Sequence, residues 1–177
     1  MNEVYIKLQK MNFCKEMEDN LPVHILNHCK KYQGERYLAS VFTYDLLGSL
    51  LKEFDLKLDN VEFLDSGKPF IKHGYISLTH SKDYVGVSYS KVNHGIDIQV
   101  NEKEFEEKKV KRLNMNKETF YEDWVKKEAY VKMIDGNILD LTLQVQGYSY
   151  LDSFKEKGLT YYLCVCTKQE VNIIKLK

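Results

Sequence analysis

The sequence predicts an α+β fold built from two similar halves packed on each other. Three observations predict it. Several short runs alternate apolar and polar residues with the period of a strand. Two longer segments repeat apolar residues at three-and-four spacing, the period of a helix. The order strand, helix, strands occurs twice, with no flexible linker near the midpoint at Gly95–Val100. The expected division is 1–95 and 96–177, two lobes forming one unit.

Val4-Tyr5-Ile6-Lys7-Leu8 reads as the first strand. From Gly34 to Phe54 the apolar residues Tyr37, Leu38, Val41, Phe42, Leu46, Leu47, Leu50, Leu51 and Phe54 predict a long amphipathic helix. Val61–Leu64 is a short strand, ended by the turn cluster Asp65-Ser66-Gly67. Tyr75–Thr79 and Tyr84–Tyr89 alternate as strands, and Lys91-Val92-Asn93-His94-Gly95 reads as a hairpin turn. Gly95–Val100 alternates again, with Ile96, Ile98 and Val100 inward and Asp97 and Gln99 outward. The charged stretch Glu102–Arg112 predicts a solvated helix. A stronger helix is expected over Lys117–Ile134, striped by Phe120, Tyr121, Trp124, Val125, Ala129 and Met133. Strands at Gln144–Leu151, Tyr161–Thr167 and Val171–Leu176 complete the second half.

Composition narrows the function classes. The 177 residues carry 26 Lys+Arg and 26 Asp+Glu, a formal net charge of zero, which argues against a general nucleic-acid binder. No run approaches the ~18 apolar residues of a membrane span, and the charged start, Met-Asn-Glu-Val-Tyr-Ile-Lys, has no apolar leader core. None of Cys14, Cys29, Cys164 and Cys166 forms a CxxC pair, and Cys164 and Cys166, on one strand face, are poorly placed to join. Reduced thiols in a cytoplasmic protein are expected.

Four places offer chemistry. Asp97 sits between Ile96 and Ile98, and Gln99 projects the same way about 7 Å along the strand. Such a carboxylate either faces water or is held by a partner or a metal. Trp124, Glu128 and Lys132, four apart, form one column bordering the buried stripe of their helix. Glu128 and Lys132 are either an exposed ion pair or a cation-holding acid and a phosphate-holding lysine. Thr79-His80-Ser81 at a strand end either caps a turn or binds phosphate. Gly67-Lys68-Pro69 presents a lysine on a turn. There is no Gly-rich phosphate loop, GxSxG elbow or HExxH.

Taken in order, Gly67-Lys68-Pro69, Leu78-Thr79-His80-Ser81, Gly95-Ile96-Asp97-Ile98 and Trp124-(x)3-Glu128-Ala129-(x)2-Lys132 resemble the 4′-phosphopantetheinyl transferases, most closely the two-lobed, surfactin-type branch. Cys29-Lys30-Lys31-Tyr32 with Arg36 is similar to the family's N-terminal basic segment, and Tyr161–Cys166 to its C-terminal strand. The resemblance implies a pseudo-dimer of two α+β lobes with the active site in the cleft between them. It implies transfer of the phosphopantetheine arm of coenzyme A to a serine of an apo acyl or peptidyl carrier protein, releasing adenosine 3′,5′-bisphosphate. It makes Asp97 a Mg²⁺ ligand and Glu128 a second ligand and general base. Lys68, His80 and Lys132 would hold coenzyme A phosphates, Thr79 would stand for a phosphate-contacting serine, Pro69 would lie near the nucleotide, and Arg36 would serve the 3′-phosphate end. The family's glutamate two residues after the motif Asp is Gln99 here, an uncharged third metal ligand. His28 and Ile25 stand where lysines are expected, and Tyr37 where a threonine is. The carrier partner would be acidic. The Lys108-Lys109-Val110-Lys111-Arg112 run would either steer it or form a solvated face. A two-lobed chain would be complete as a monomer. The alternative function is a coenzyme A or carrier-protein binding module without efficient catalysis, to which Gln99 points.

Overall fold

A computed structural model describes residues 2–102, 107, 109–112, 115–137 and 144–177. Its elements are β1 (Glu3–Lys10), α1 (Glu16–Asp19), α2 (Val23–Cys29), α3 (Gly34–Lys52), a 3-10 turn (Leu58–Asn60), β2 (Val61–Phe63), β3 (Pro69–Ile71), β4 (Tyr75–Ser81), β5 (Tyr84–Ser90), β6 (His94–Val100), α4 (Phe120–Ile134), β7 (Tyr148–Glu156), β8 (Leu159–Thr167) and β9 (Asn172–Leu176). The fold is α+β, as the periodicities predict. Of the helix expected over 102–112, residues 107 and 109–112 are helical, while 103–106 and 108 lie outside the described residues. No helix among the described residues is long and apolar enough to cross a membrane.

The first sheet has the order β4-β5-β1-β9 and the second β6-β8-β7, while β2 and β3 form a separate ribbon. In each large sheet a strand, then a helix, then a hairpin follow in sequence, and the first strand pairs antiparallel with the second strand of the hairpin. The orders β4-β5-β1 and β6-β8-β7 therefore match. The chain does not keep its two halves apart, because β9 returns to pair in parallel with β1, and the 95/96 division falls inside β6.

α3 departs from a one-sided amphipathic helix. Its first turns are exposed, but from Ala39 to Leu51 nearly every residue is buried, including Thr43, Tyr44 and Gly48. It runs into the main core with Ile25, Val61, Ile71, Val85 and Val87, so only its N-terminal half faces solvent. α4 keeps the expected stripe, with Val125, Ala129 and Met133 packed on Cys164 and Cys166. Glu122 and Asp123 lie in its first turn and Lys132 in its last, matching the helix dipole. Asp135 ends it in the left-handed conformation.

The segment 91–95 is not a hairpin turn. β5 is already paired on both edges, with β4 and β1, so β6 leaves that sheet and pairs with β8. The open edge of β6 then abuts β4. The N–H groups of Ile96, Ile98 and Val100 donate to the hydroxyls of Ser77, Thr79 and Ser81, each at 3.0 Å. A buried N–H without a partner costs about 1–3 kcal/mol, so this hydroxyl ladder takes the place of a neighbouring strand.

His94 locks the same seam. It is 1% exposed. Its Nδ1–H donates to Val92 O at 3.1 Å, which leaves Nε2 to accept from Ser88 Oγ at 2.7 Å. Burial lowers its pKa to about 4. The unfolded chain therefore binds a proton between about pH 6.5 and 4 that the folded chain refuses, so stability falls as pH drops through that window. Wild-type protein should lose about 2 kcal/mol between pH 6.5 and pH 5 through this group. His94→Gln should flatten that part of the profile in urea titrations; an unchanged slope would clear His94.

Candidate functional site

Asp97 is the centre of the site and contradicts its outward assignment. Both faces of β6 are covered: Ile96 and Ile98 pack towards β1, β5 and β8 side chains, while the Asp97 face lies beneath α4. Asp97 is 3% exposed. Its Oδ1 accepts from Thr79 Oγ1 at 2.8 Å and from Lys132 Nζ at 2.6 Å. Its Oδ2 is buried with no hydrogen-bond partner among the described residues. An ionised carboxylate this deep is costly unless its lone pairs are used, so one half of Asp97 is compensated and the other half is available to a cation.

The approach of α4 is set by Gly95. A Cβ placed on Gly95 would lie 2.0 Å from Ala129 O and 2.7 Å from Met133 N. β6 and α4 therefore touch backbone to backbone. One turn apart on that helix, Glu128 and Lys132 are carried to the same cleft wall as Asp97. Burial, then the charge of Asp97, pushes the Glu128 pKa up to about 7, against the pull of Lys132 and Lys109. Gln99 shares the Asp97 face, and its amide nitrogen donates to Val100 O at 3.1 Å, which leaves the amide oxygen as an acceptor.

The cleft encloses about 360 Å³. Arg36, Pro69, Thr79, His80, Asp97, Gln99, Glu128 and Lys132 all line it, although they come from α3, β3, β4, β6 and α4. His80 sits at the mouth, open to solvent on one side. Desolvation, with the charges of Lys132 and Arg36, lowers its pKa. Thr79 reaches the cleft with its hydroxyl hydrogen on Asp97 and its oxygen on Ile98 N–H, so it positions the acid.

Lys68 is not among the lining residues. The turn at Gly67, with φ of +82°, directs its side chain to the end of α4, where Nζ donates to Lys132 O at 2.5 Å. Beside it Ser66 Oγ donates to the Asp135 carboxylate. This turn thus caps a helix from the other half of the chain, and burial lowers the Lys68 pKa.

No protein-family model matches the chain, and no curated protein matches it. The site therefore stands on its own geometry.

The sequence does not announce one wall as a unit, and Ser40, Thr43 and Tyr44 carry no signal for it. His28, Tyr32, Ser40, Thr43 and Tyr44 also line the cleft. The resemblance marks His28 as standing where a lysine is expected and includes Tyr32 in the basic segment, but the aromatic cluster around His28 joins α2, α3 and β2, which no local pattern reveals.

The oxygen-only donor set of Asp97, Glu128 and Gln99 suits a hard divalent ion such as Mg²⁺. The orphaned Asp97 Oδ2 is the observation that makes the fit. Among the described residues no three His, Cys, Asp or Glu side chains gather as a metal cluster. Two carboxylates and an amide fall below that count, so water or substrate oxygens would complete the shell.

Proposed function

We propose that this chain is a Mg²⁺-dependent 4′-phosphopantetheinyl transferase that moves the phosphopantetheine arm of coenzyme A to a serine of an apo acyl or peptidyl carrier protein. The observation that carries the reading is the convergence, in one cleft, of a half-compensated buried acid with a second, desolvated acid and a rim of Arg36, His80 and Lys132. The matching strand orders support reading the chain as a pseudo-dimer of two lobes with the cleft between them.

Asp97, Glu128 and the Gln99 amide oxygen would hold Mg²⁺, which neutralises pyrophosphate charge. Lys132, on a flexible stem, exchanges its contact with Asp97 for a phosphate oxygen. His80 and Arg36 fix the remaining anionic groups, so catalysis is mostly positioning and electrostatics. Glu128, or a water it holds, takes the serine proton as the hydroxyl attacks the phosphorus and adenosine 3′,5′-bisphosphate departs. Lys109, Lys111 and Arg112, in the described part of the basic run, favour an acidic carrier surface.

The test is the mass of an apo carrier protein incubated with the chain, coenzyme A and Mg²⁺. A gain of one phosphopantetheine group that needs the metal supports the reading. Binding of coenzyme A without a gain on several carriers would leave a binding module. Gln99→Glu should lower the Mg²⁺ concentration for half-maximal rate about tenfold, because a charged oxygen replaces a neutral one. An unchanged metal dependence would place Gln99 outside the ligand shell.

A further inference from the structure

The wall around His28 carries a second polar atom with no hydrogen-bond partner among the described residues. His28 is in the last turn of α2 and 8% exposed. Its ring lies flat on Phe63, with centroids 3.9 Å apart and planes 5° from parallel. Tyr44 and Tyr32 meet it edge-on at 6.0 Å and 6.3 Å. The ring is thus fixed in orientation by three aromatic neighbours. It lines the cleft, yet its buried Nδ1 has no hydrogen-bond partner among the described residues. Leaving such an atom unmatched costs about 1–3 kcal/mol, and a group from a ligand can recover it.

The chemistry of that ligand group follows from the surroundings. The cations lining the cleft are Arg36, His80 and Lys132; of these Arg36 rests on Tyr32, the edge-on neighbour of His28. Burial, with the charge of Lys31, lowers the His28 pKa, so its ring is neutral near pH 7 and offers a hydrogen bond without a charge. The Arg36 guanidinium lies over the Tyr32 ring at 5.1 Å, and Tyr32, Tyr44 and Pro69 add flat or apolar surface beside it. A flat, uncharged, hydrogen-bonding ring matches the face that His28 presents, while Arg36 beside Tyr32 suits an anionic substituent of the same ligand.

We propose that His28 is a specificity-determining residue of the cleft, whose Nδ1 hydrogen-bonds an edge of the purine ring of a bound nucleotide. This deepens the transferase reading and rests on it, since the nucleotide would be the adenosine end of coenzyme A. The role differs from that of a cation at this position, because it contributes to base recognition and nothing to phosphate affinity.

Calorimetric titration with two probes in Mg²⁺ buffer near pH 7.5 separates these roles. One probe is adenosine 3′,5′-bisphosphate, and the other is ribose 3,5-bisphosphate, which has the same phosphates and no base. Wild type should bind the first more tightly. His28→Leu should weaken the first about tenfold and leave the second unchanged. His28→Asn, which keeps a polar atom near the Nδ1 position, should recover most of the loss. Equal weakening of both probes in His28→Leu would overturn the proposal, as would an unchanged preference. If the Leu variant does not fold, the wild-type preference and the Asn variant still decide: no preference for the base in wild type, or an Asn variant that has lost it, refutes the role. Wild-type protein that binds neither probe would refute the transferase reading as well, whereas binding without base preference would refute only the role of His28.

Discussion

Glu128→Gln is expected to reduce the proposed transfer by about a thousandfold or more while making the folded protein more stable above neutral pH. The two effects have one cause. Glu128 is desolvated and close enough to Asp97 to feel its charge, so its pKa is raised from 4.5 to about 7. Between those values the folded chain holds a proton that the unfolded chain has released. Stability from this group is therefore present at low pH and falls as pH rises through the window. Gln cannot ionise and removes the fall. In metal-free buffer at pH 8.5 the variant should gain about 2–3 kcal/mol over wild type in urea titrations, and at pH 4.5 close to nothing. The change is nearly isosteric, so packing on Val125 and Ala129 should persist. A variant that still modifies carrier protein would strip Glu128 of its proposed role as base and ligand. Equal shifts at both pH values would show that its ionisation carries no strain. Opposite signs for activity and stability are the mark of a residue held against its own solvation for chemistry.

How much of this was legible follows the range of each interaction. The elements with a strong local period, α3, α4 and the strands β1, β4, β5, β6 and β8, stand close to where the apolar spacing predicts them. Their ends do not: the strand expected from Gln144 is β7, beginning at Tyr148, and the helix expected from Lys117 begins at Phe120. The turn before β6 was misread because the pairing of β5 with β1 joins residues far apart in the sequence, and alternation around Asn93-His94-Gly95 cannot reveal that both edges of β5 are taken. Asp97 looked outward for a related reason. Alternation names two faces, but not that α4 covers the second. The spacing Ser77-x-Thr79-x-Ser81 was a usable signal, since three hydroxyls at strand period suit a polar seam better than a capped turn. Of the site residues, those in motifs on β4, β6 and α4 gather in the cleft. Lys68, whose long side chain can reach several places, is directed to the end of α4, and the orientation of His28 depends on Phe63, Tyr44 and Tyr32 together.

Gly95→Ala should destabilise the protein by about 3 kcal/mol and remove the site along with the stability. The new methyl would meet Ala129 O at 2.0 Å and Met133 N at 2.7 Å, distances that no rotamer can relieve because the methyl has none. The atoms it strikes belong to the helix backbone. Truncating α4 side chains therefore offers no room, and Gly95→Ala with Ala129→Gly should be no more stable than the single variant. The helix must instead lift from β6. Lifting it exposes the Val125–Met133 stripe from Cys164 and Cys166 and pulls Glu128 and Lys132 away from Asp97. Asp97 would then be a buried carboxylate holding only the Thr79 hydroxyl, which deepens the loss. Cooling the variant to restore folding should leave the proposed Mg²⁺ affinity impaired, because Asp97 and Glu128 would no longer line one cleft. Recovery of full Mg²⁺ affinity in a folded Gly95→Ala protein, read by calorimetry, would show that the backbone contact does not set the separation of the two acids.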